Sequence, residues 1–217
     1  MSWSKQGRRR AYHHGNLREA LVEAALELIA ERGPAGFTFA DAARAAGVSP
    51  AAPYRHFSDR DALMAEIARR GFERFEAALA GAWNEGRPDP YSALRNLGQA
   101  YLAFARTEPA SYTAMFEAGL PPDLDPELAR AGDSAFAVLR RAAEALCAGL
   151  PKADRPPAMM MSLHIWALAH GIVSLFARSD GARRKLPMSA EDLLEAGILV
   201  YLQGLGFGGE WSRPGRK

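Results

Sequence analysis

The chain has 217 residues, of which 48% are hydrophobic and 24% charged, with 27 Lys and Arg against 25 Asp and Glu and one Cys. That length fits one large domain or a small one joined to a larger one, and the composition is that of an ordinary soluble globular protein. The lone Cys147 excludes an internal disulfide framework and a Cys-based zinc finger. A net charge of +2 does not by itself announce a nucleic-acid partner, but the charge is unevenly placed.

Residues 1–18 carry Lys5, Arg8, Arg9, Arg10 and Arg18 with no acid. A basic, Gly-containing start reads as a flexible arm, either a solvated tail or one that neutralises phosphates. No secretory signal is expected, because Glu23 and Glu27 interrupt the apolar stretch that follows; the expected location is cytoplasmic.

Helical periodicity runs through nearly every segment, and no stretch alternates with a period of two. The first helix is predicted from Asn16, capped with Glu19, with Leu17, Leu21, Ala24, Ala25, Leu28 and Ile29 on one face and Gly33-Pro34 as its stop. Thr38 with Asp41 caps a second helix reaching Ala46. Gly47 ends it, Val48 points inward, and Ser49 caps a third short helix over Pro50–Phe57. Ser58 with Asp61 then caps a long fourth helix, about Arg60–Trp83. Beyond a joint at Glu85–Pro90, helices are expected near Tyr91–Arg106, Pro109–Ala118, Pro126–Ala148, Pro157–Ala177 and Ala190–Leu205, the last capped by Ser189 with Asp192.

The segment Phe37–Phe57, FTFADAARAAGVSPAAPYRHF, carries the functional signal. Two short helices joined by Gly47-Val48-Ser49 have the form of a helix-turn-helix, with small Ala42, Ala43 and Ala46 permitting a close crossing. The second helix would enter the major groove by its N-terminal end. Helix starts at Thr38, Ser49 and Ser58 offer amides to phosphate. Tyr54, Arg55 and His56 supply donors, Ala51, Ala52 and Pro53 an apolar edge for thymine methyls, and Arg60 a reach to the backbone. The same unit also occurs as a plain helix corner, with Tyr54 and Phe57 as core residues.

The first seventy residues resemble the DNA-binding domain of the TetR/AcrR family of bacterial transcriptional regulators. The matching residues are His13-His14-Gly15-Asn16-Leu17-Arg18, Ala24–Gly33, Phe37-Thr38, Ala42-Ala43, Gly47-Val48-Ser49, Tyr54-Arg55-His56-Phe57 and Asp61-Ala62-Leu63. The resemblance implies phosphate contacts from Thr38, Ser49, Tyr54, His56 and Arg60, the last standing where the family commonly has Lys. It implies that Pro50, Ala51, Ala52 and Arg55 face or flank the bases. Trp166, His170 and Gly171 resemble the Trp-His-Gly signature of one C-terminal domain type in the family, which implies a helical ligand-sensing and dimerisation domain.

The expected architecture is therefore all-α, an N-terminal helix-turn-helix three-helix domain followed by a larger helical bundle. Its parts are an arm over 1–15, a DNA-binding domain over 16–62, a ligand and dimerisation domain over 63–206, and a tail over 207–217. Pro156–Ala177 holds no Asp, Glu, Lys or Arg and is long enough to span a membrane. Its two leading prolines, His164, His170 and basic flanks on both sides favour a core helix instead, and no membrane partner is expected. Met159, Leu163, Trp166, His170, Val173 and Ala177 are assigned to one face, and Met161, His164, Leu168, Gly171, Ile172 and Leu175 to the other. A homodimer is expected through helices near 157–177 and 190–205, the latter by a stripe of Leu193, Gly197, Val200 and Gly204. Candidate ligand contacts are Tyr101, Phe104, Tyr112, Met115, Phe116, Met160, Trp166 and His170, which serve equally as core.

His164 and His170 are six residues apart and diverge on a helix, and His13-His14 lacks a partner at ligand spacing, so no metal is expected. No phosphate loop or catalytic constellation is present, and neither a cofactor nor enzymatic activity is expected. The sequence reads as a regulator, most simply a repressor, binding double-stranded operator DNA and a small effector. The rivals are a small-molecule carrier and a helical enzyme using His164 or His170 as a general base.

Overall fold

The computed structural model describes residues 17–121, 124–177 and 187–207. Among them are eight α-helices and no strand: α1 (Leu17–Arg32), α2 (Phe39–Ala45), α3 (Arg60–Trp83), α4 (Pro90–Thr107), α5 (Pro109–Phe116), α6 (Pro126–Ala148), α7 (Ala158–Ala177) and α8 (Ala190–Gly204). The expected all-α architecture is the one found.

Most helix boundaries are set by local chemistry. The Thr38 hydroxyl accepts from the Asp41 amide while the Asp41 carboxylate accepts from the Thr38 amide, a complete capping box. Ser189 caps α8 by accepting from the Asp192 amide. Gly33 and Gly47 take φ of +76° and +74°, the left-handed conformation that lets α1 and α2 stop without a Cβ clash. The cap of α3 is Asp59, which accepts from the Ala62 amide, and not Ser58, whose hydroxyl donates to Asp59 instead. The expected cap at Asn16 lies outside the described residues.

The segment read as a third helix over Pro50–Phe57 departs from expectation. Its regular part is a single 3-10 turn, Pro53–Arg55, entered from Ala52 with no side-chain cap. Pro53 has no N–H to donate to the Ser49 carbonyl, which the Ala52 amide occupies at 3.0 Å. The backbone recovers helical spacing only where Phe57 donates to Pro53.

Two apolar cores share α3. The first joins Leu21, Ala25, Leu28 and Ile29 of α1 with Phe37, Phe39, Ala42, Phe57 and with Leu63, Met64 and Ile67 from the first two turns of α3. Burying each such large side chain contributes roughly 1.5–3 kcal/mol. Ala114 of α5 closes this core from the other side. The second core takes Phe75, Leu79 and Trp83 from the far half of α3 and packs them with α4, α6, α7 and α8. The boundary expected at 62/63 thus falls within the first turn of a continuous helix.

Glu66, only 5% exposed, lies on α3 between Met64 and Ile67 of the first core. Its carboxylate meets Arg70 at 2.6 Å, Arg18 at 2.9 Å and Arg69 at 3.0 Å, and Arg70 reaches on to Glu19 at 2.6 Å. Burial alone would raise the Glu66 pKa. Hydrogen bonds from Arg70 and Arg69 outweigh it and hold the carboxyl below the usual carboxylate range. The cluster fastens α1 to α3.

Helix α7 is long and apolar enough to cross a membrane by composition, yet one face is buried in the second core. That face is Met161, Ile165, Ala169, Ile172 and Val173. The division of the helix made from its sequence mixed the two sides: Val173, grouped with the exposed Met159 and Leu163, is inside, whereas Leu175, grouped with the buried Met161 and Ile172, is outside. The outward stripe is Met160, Leu163, Ala167, Gly171 and Leu175. On α8, Val200 is 68% exposed and Gly204 meets nothing. Gly197 does not belong with them, because a Cβ there would lie 2.8 Å from Leu168; its small size lets α8 approach α7 within one chain.

Candidate nucleic-acid interface and ligand cavity

The turn following α2 presents an exposed tip. Ser49, Pro50, Ala51, Tyr54, Arg55 and His56 are exposed, Ala52 is half-buried and Pro53 is buried. Tyr54, 63% exposed, stands edge-on against Phe39 with ring centroids 5.1 Å apart. The Tyr54 phenol is thereby carried on the first residue of α2, while Phe57 behind it anchors the tip in the first core. Beside the tip, Asp41 is held below its usual pKa by hydrogen bonds from the Thr38 hydroxyl and amide. Its carboxylate occupies the start of α2, where a phosphate would otherwise find an unopposed dipole.

Arg60 is differently placed. Its Nε donates to the Phe37 carbonyl at 3.1 Å, another nitrogen donates to the Pro34 carbonyl, and the guanidinium lies 4.9 Å from the Phe37 ring centroid. Those contacts bind the α1–α2 loop to the start of α3. The expected arm residues Arg8, Arg9 and Arg10 lie outside the described residues.

In the fold's second core, five helices surround a cavity of about 390 Å³. Its walls are Phe72, Phe75 and Leu79 of α3, Leu97 and Tyr101 of α4, Phe116 of α5, Gly132, Ala135, Phe136 and Leu139 of α6, and Leu163 and Trp166 of α7. No lining residue carries a formal charge at neutral pH, and the volume is that of a small-molecule site.

Of the residues singled out from the sequence, Tyr101, Phe116 and Trp166 line this cavity. Phe104 does not, being packed 5.0 Å from Phe75 in the core. Met115 is spent on the α3–α5 contact, pressing so closely on Gly71 that a Cβ there would lie 2.7 Å from its sulfur. Met160 is on the outward face of α7. Tyr112 and His170 stand behind the wall and meet Tyr101 there. The Tyr112 hydroxyl is 2.7 Å from His170 Nδ1, and the Tyr101 hydroxyl is 3.1 Å from that of Tyr112 and 3.2 Å from Nδ1. Burial pushes the Tyr101 phenol up to about 12 and raises that of Tyr112 further, so both keep their protons at neutral pH.

The walls given by α3 and α6 were missed from sequence. Their signal is a periodicity that outlasts one core: Phe72, Phe75 and Leu79 continue the apolar face of α3 after Ile67, and Gly132, Ala135, Phe136 and Leu139 repeat at helical spacing on α6 with a gap left at Gly132.

Known proteins match both halves. The model for bacterial regulatory proteins of the tetR family matches residues 21–67, and that for the tetracyclin repressor-like C-terminal domain matches residues 94–201. An uncharacterized HTH-type transcriptional regulator of Bacillus subtilis, YobS, is 27% identical over 194 residues, covering 88% of this chain and 93% of that protein. A solved protein of unknown function from Rhodococcus is 30% identical with a TM-score of 0.74, covering 90% of this chain and 98% of its own. The TetR family regulator PfmR of Thermus thermophilus, 23% identical with a TM-score of 0.62 and covering 84% and 97%, has the same fold.

Proposed function

Because the chain belongs to the TetR family of DNA-binding transcriptional regulators, we propose that it is a homodimeric repressor released from its operator by a small, mostly apolar ligand. The observation that carries this reading is the double membership of α3. Its first turns build the core under the exposed Tyr54-Arg55-His56 tip, and its later turns form a wall of the cavity. A ligand seated against Phe72, Phe75 and Leu79 would bias the position of the helix on which the tip rests. It releases DNA to the extent that it binds the released conformation more tightly than the DNA-bound one.

In this reading Arg55, with Pro50, Ala51 and Ala52, faces the bases, while Thr38, Ser49, Tyr54, His56 and the Arg8–Arg10 arm meet phosphates. Tyr101, Phe116 and Trp166 touch the ligand. The DNA-binding and ligand-binding units divide within α3, near the Glu66 cluster, and not ahead of it. The exposed apolar stripe of α7 with Val200 and Gly204 of α8 is the surface for a second copy. Its small residues suit a close two-fold helix packing, which would place two tips about one helical turn of DNA, or a multiple, apart.

Selection of the purified protein against randomised duplex DNA at physiological salt tests the reading. The expected pool is a two-fold symmetric site with fixed half-site spacing, and Arg55→Ala should lose ~1–3 kcal/mol of discrimination at defined base pairs. A pool no richer than the input would overturn sequence-specific binding by the free protein. Equal loss of specific and non-specific binding in Arg55→Ala would remove that residue from the bases.

A further inference from the structure

Twelve residues line the cavity, and ten of them bring only the hydrocarbon side chains of Phe, Leu and Ala or the bare Cα of Gly. The polar side-chain atoms of the wall are the Tyr101 hydroxyl and the Trp166 indole N–H, and both are spent within the protein. The Tyr101 oxygen stands 3.1 Å from the Tyr112 hydroxyl and 3.2 Å from His170 Nδ1, and it also takes a hydrogen bond from Trp166. Three partners use up what one hydroxyl can give and accept, and the single indole proton is consumed in the same place. The surface left facing the cavity is almost all carbon.

Such a wall selects by what a guest lacks. A hydroxyl entering it leaves water and finds no partner, which weakens binding about tenfold or more. A carboxylate or ammonium would also find no counter-charge and is excluded far more strongly. Each carbon buried, by contrast, adds to affinity in proportion to its area.

Size and shape narrow the class further. Six of the twelve lining residues are aromatic, and they brace one another edge-on, with Phe72 and Phe116 at 5.4 Å, Phe75 and Tyr101 at 5.0 Å, and Phe136 and Trp166 at 6.1 Å. A wall held in this way has few rotamers to adapt with and suits a rigid, flat guest. An apolar cavity of ~150 Å³ takes one benzene ring, so about 390 Å³ has room for two to three.

We propose that the cavity binds an uncharged ring hydrocarbon of about two to three rings that carries no hydrogen-bonding group, and that polar substituents bar a molecule of the same skeleton from it. The proposal rests on the cavity being the ligand site of the regulator described above, and names the class of molecule that enters it.

Equilibrium dialysis of the full chain against naphthalene, phenanthrene, 2-naphthol and 2-naphthoate at neutral pH tests it. Both hydrocarbons should bind, 2-naphthol should bind about tenfold to a hundredfold more weakly than naphthalene, and 2-naphthoate should not bind. Gly132→Leu tests the location independently. Gly132 lies in mid-helix with the Phe72 ring 3.8 Å from where its Cβ would stand, so a leucine keeps α6 and fills the cavity, and binding of both hydrocarbons should be lost while DNA binding is retained. Affinity for 2-naphthol equal to or tighter than that for naphthalene, binding of 2-naphthoate, failure of either hydrocarbon to bind, or hydrocarbon binding unchanged in Gly132→Leu would each overturn the proposal. The same hydrocarbons added to the protein on its selected operator read regulation separately: binding in the expected order without DNA release refutes the repressor reading and leaves the ligand class standing.

Discussion

The two cores of this chain meet along one helix and are built to opposite ends. The first packs aliphatic and small side chains around Phe37, Phe39 and Phe57, with Leu21, Ala25, Leu63 and Met64 fully enclosed, and its loop is tied down by Arg60. The second surrounds a cavity of about 390 Å³ with aromatic walls. Close packing leaves one arrangement of side chains and therefore one shape of exposed tip. An unfilled interior gives up contact energy along its walls and keeps a place for a guest. In the proposed function, the contrast holds the surface offered to DNA constant while the region offered to a ligand lies behind it.

The largest effect that would sharpen or break this contrast comes from paired truncations. Leu63→Ala should destabilise the protein by about 3–5 kcal/mol, and Leu139→Ala, whose side chain already faces the cavity, by about 2 kcal/mol or less. Equal losses in urea unfolding would break the contrast.

Next is Glu66. Its pKa is lower folded than unfolded, so its contribution is fully present above the usual carboxylate range and is lost as pH falls through the folded value. Glu66→Gln should cost about 1–3 kcal/mol at pH 7, discounted because Arg18, Arg69 and Arg70 are partly exposed, and little once the wild-type carboxyl is protonated. A penalty independent of pH would remove the charge cluster from the link between α1 and α3.

The smallest effect is expected from Arg60→Ala. Loss of its hydrogen bonds to the Phe37 and Pro34 carbonyls should lower stability by about 1–2 kcal/mol in the absence of DNA, with the salt dependence of DNA binding unchanged. A salt slope reduced by about one unit would instead make Arg60 a phosphate contact.

What was legible in the sequence is what local chemistry decides. The Thr38–Asp41 and Ser189–Asp192 caps, the stops at Gly33 and Gly47, and the bounds of α6 each depend on a few neighbouring residues. The failure over Pro50–Phe57 is also local: Pro53 removes the amide that the predicted helix needed, and a 3-10 turn replaces it. The misplaced faces of α7 have another origin. Its residues are nearly all apolar, so residue type does not say which ones meet α4, α6 and α8. The cavity was least legible, since it is space left between five helices, and five of its eight candidate contacts do not line it. Tyr101, Phe116 and Trp166 were recognisable as aromatic; that Phe72, Phe75 and Phe136 face them depends on how α3 and α6 pack.

Leu163 belongs at once to the cavity wall and to the outward stripe of α7, where it is 44% exposed. A side chain shared in this way couples two equilibria that are otherwise separate. Whatever a second copy does to Leu163 by covering it alters the free energy of filling the cavity, and filling the cavity alters the free energy of covering it by the same amount. For a dimer formed on that stripe, ligand affinity becomes a function of protein concentration, and dilution through the dissociation range acts on the site as an effector does.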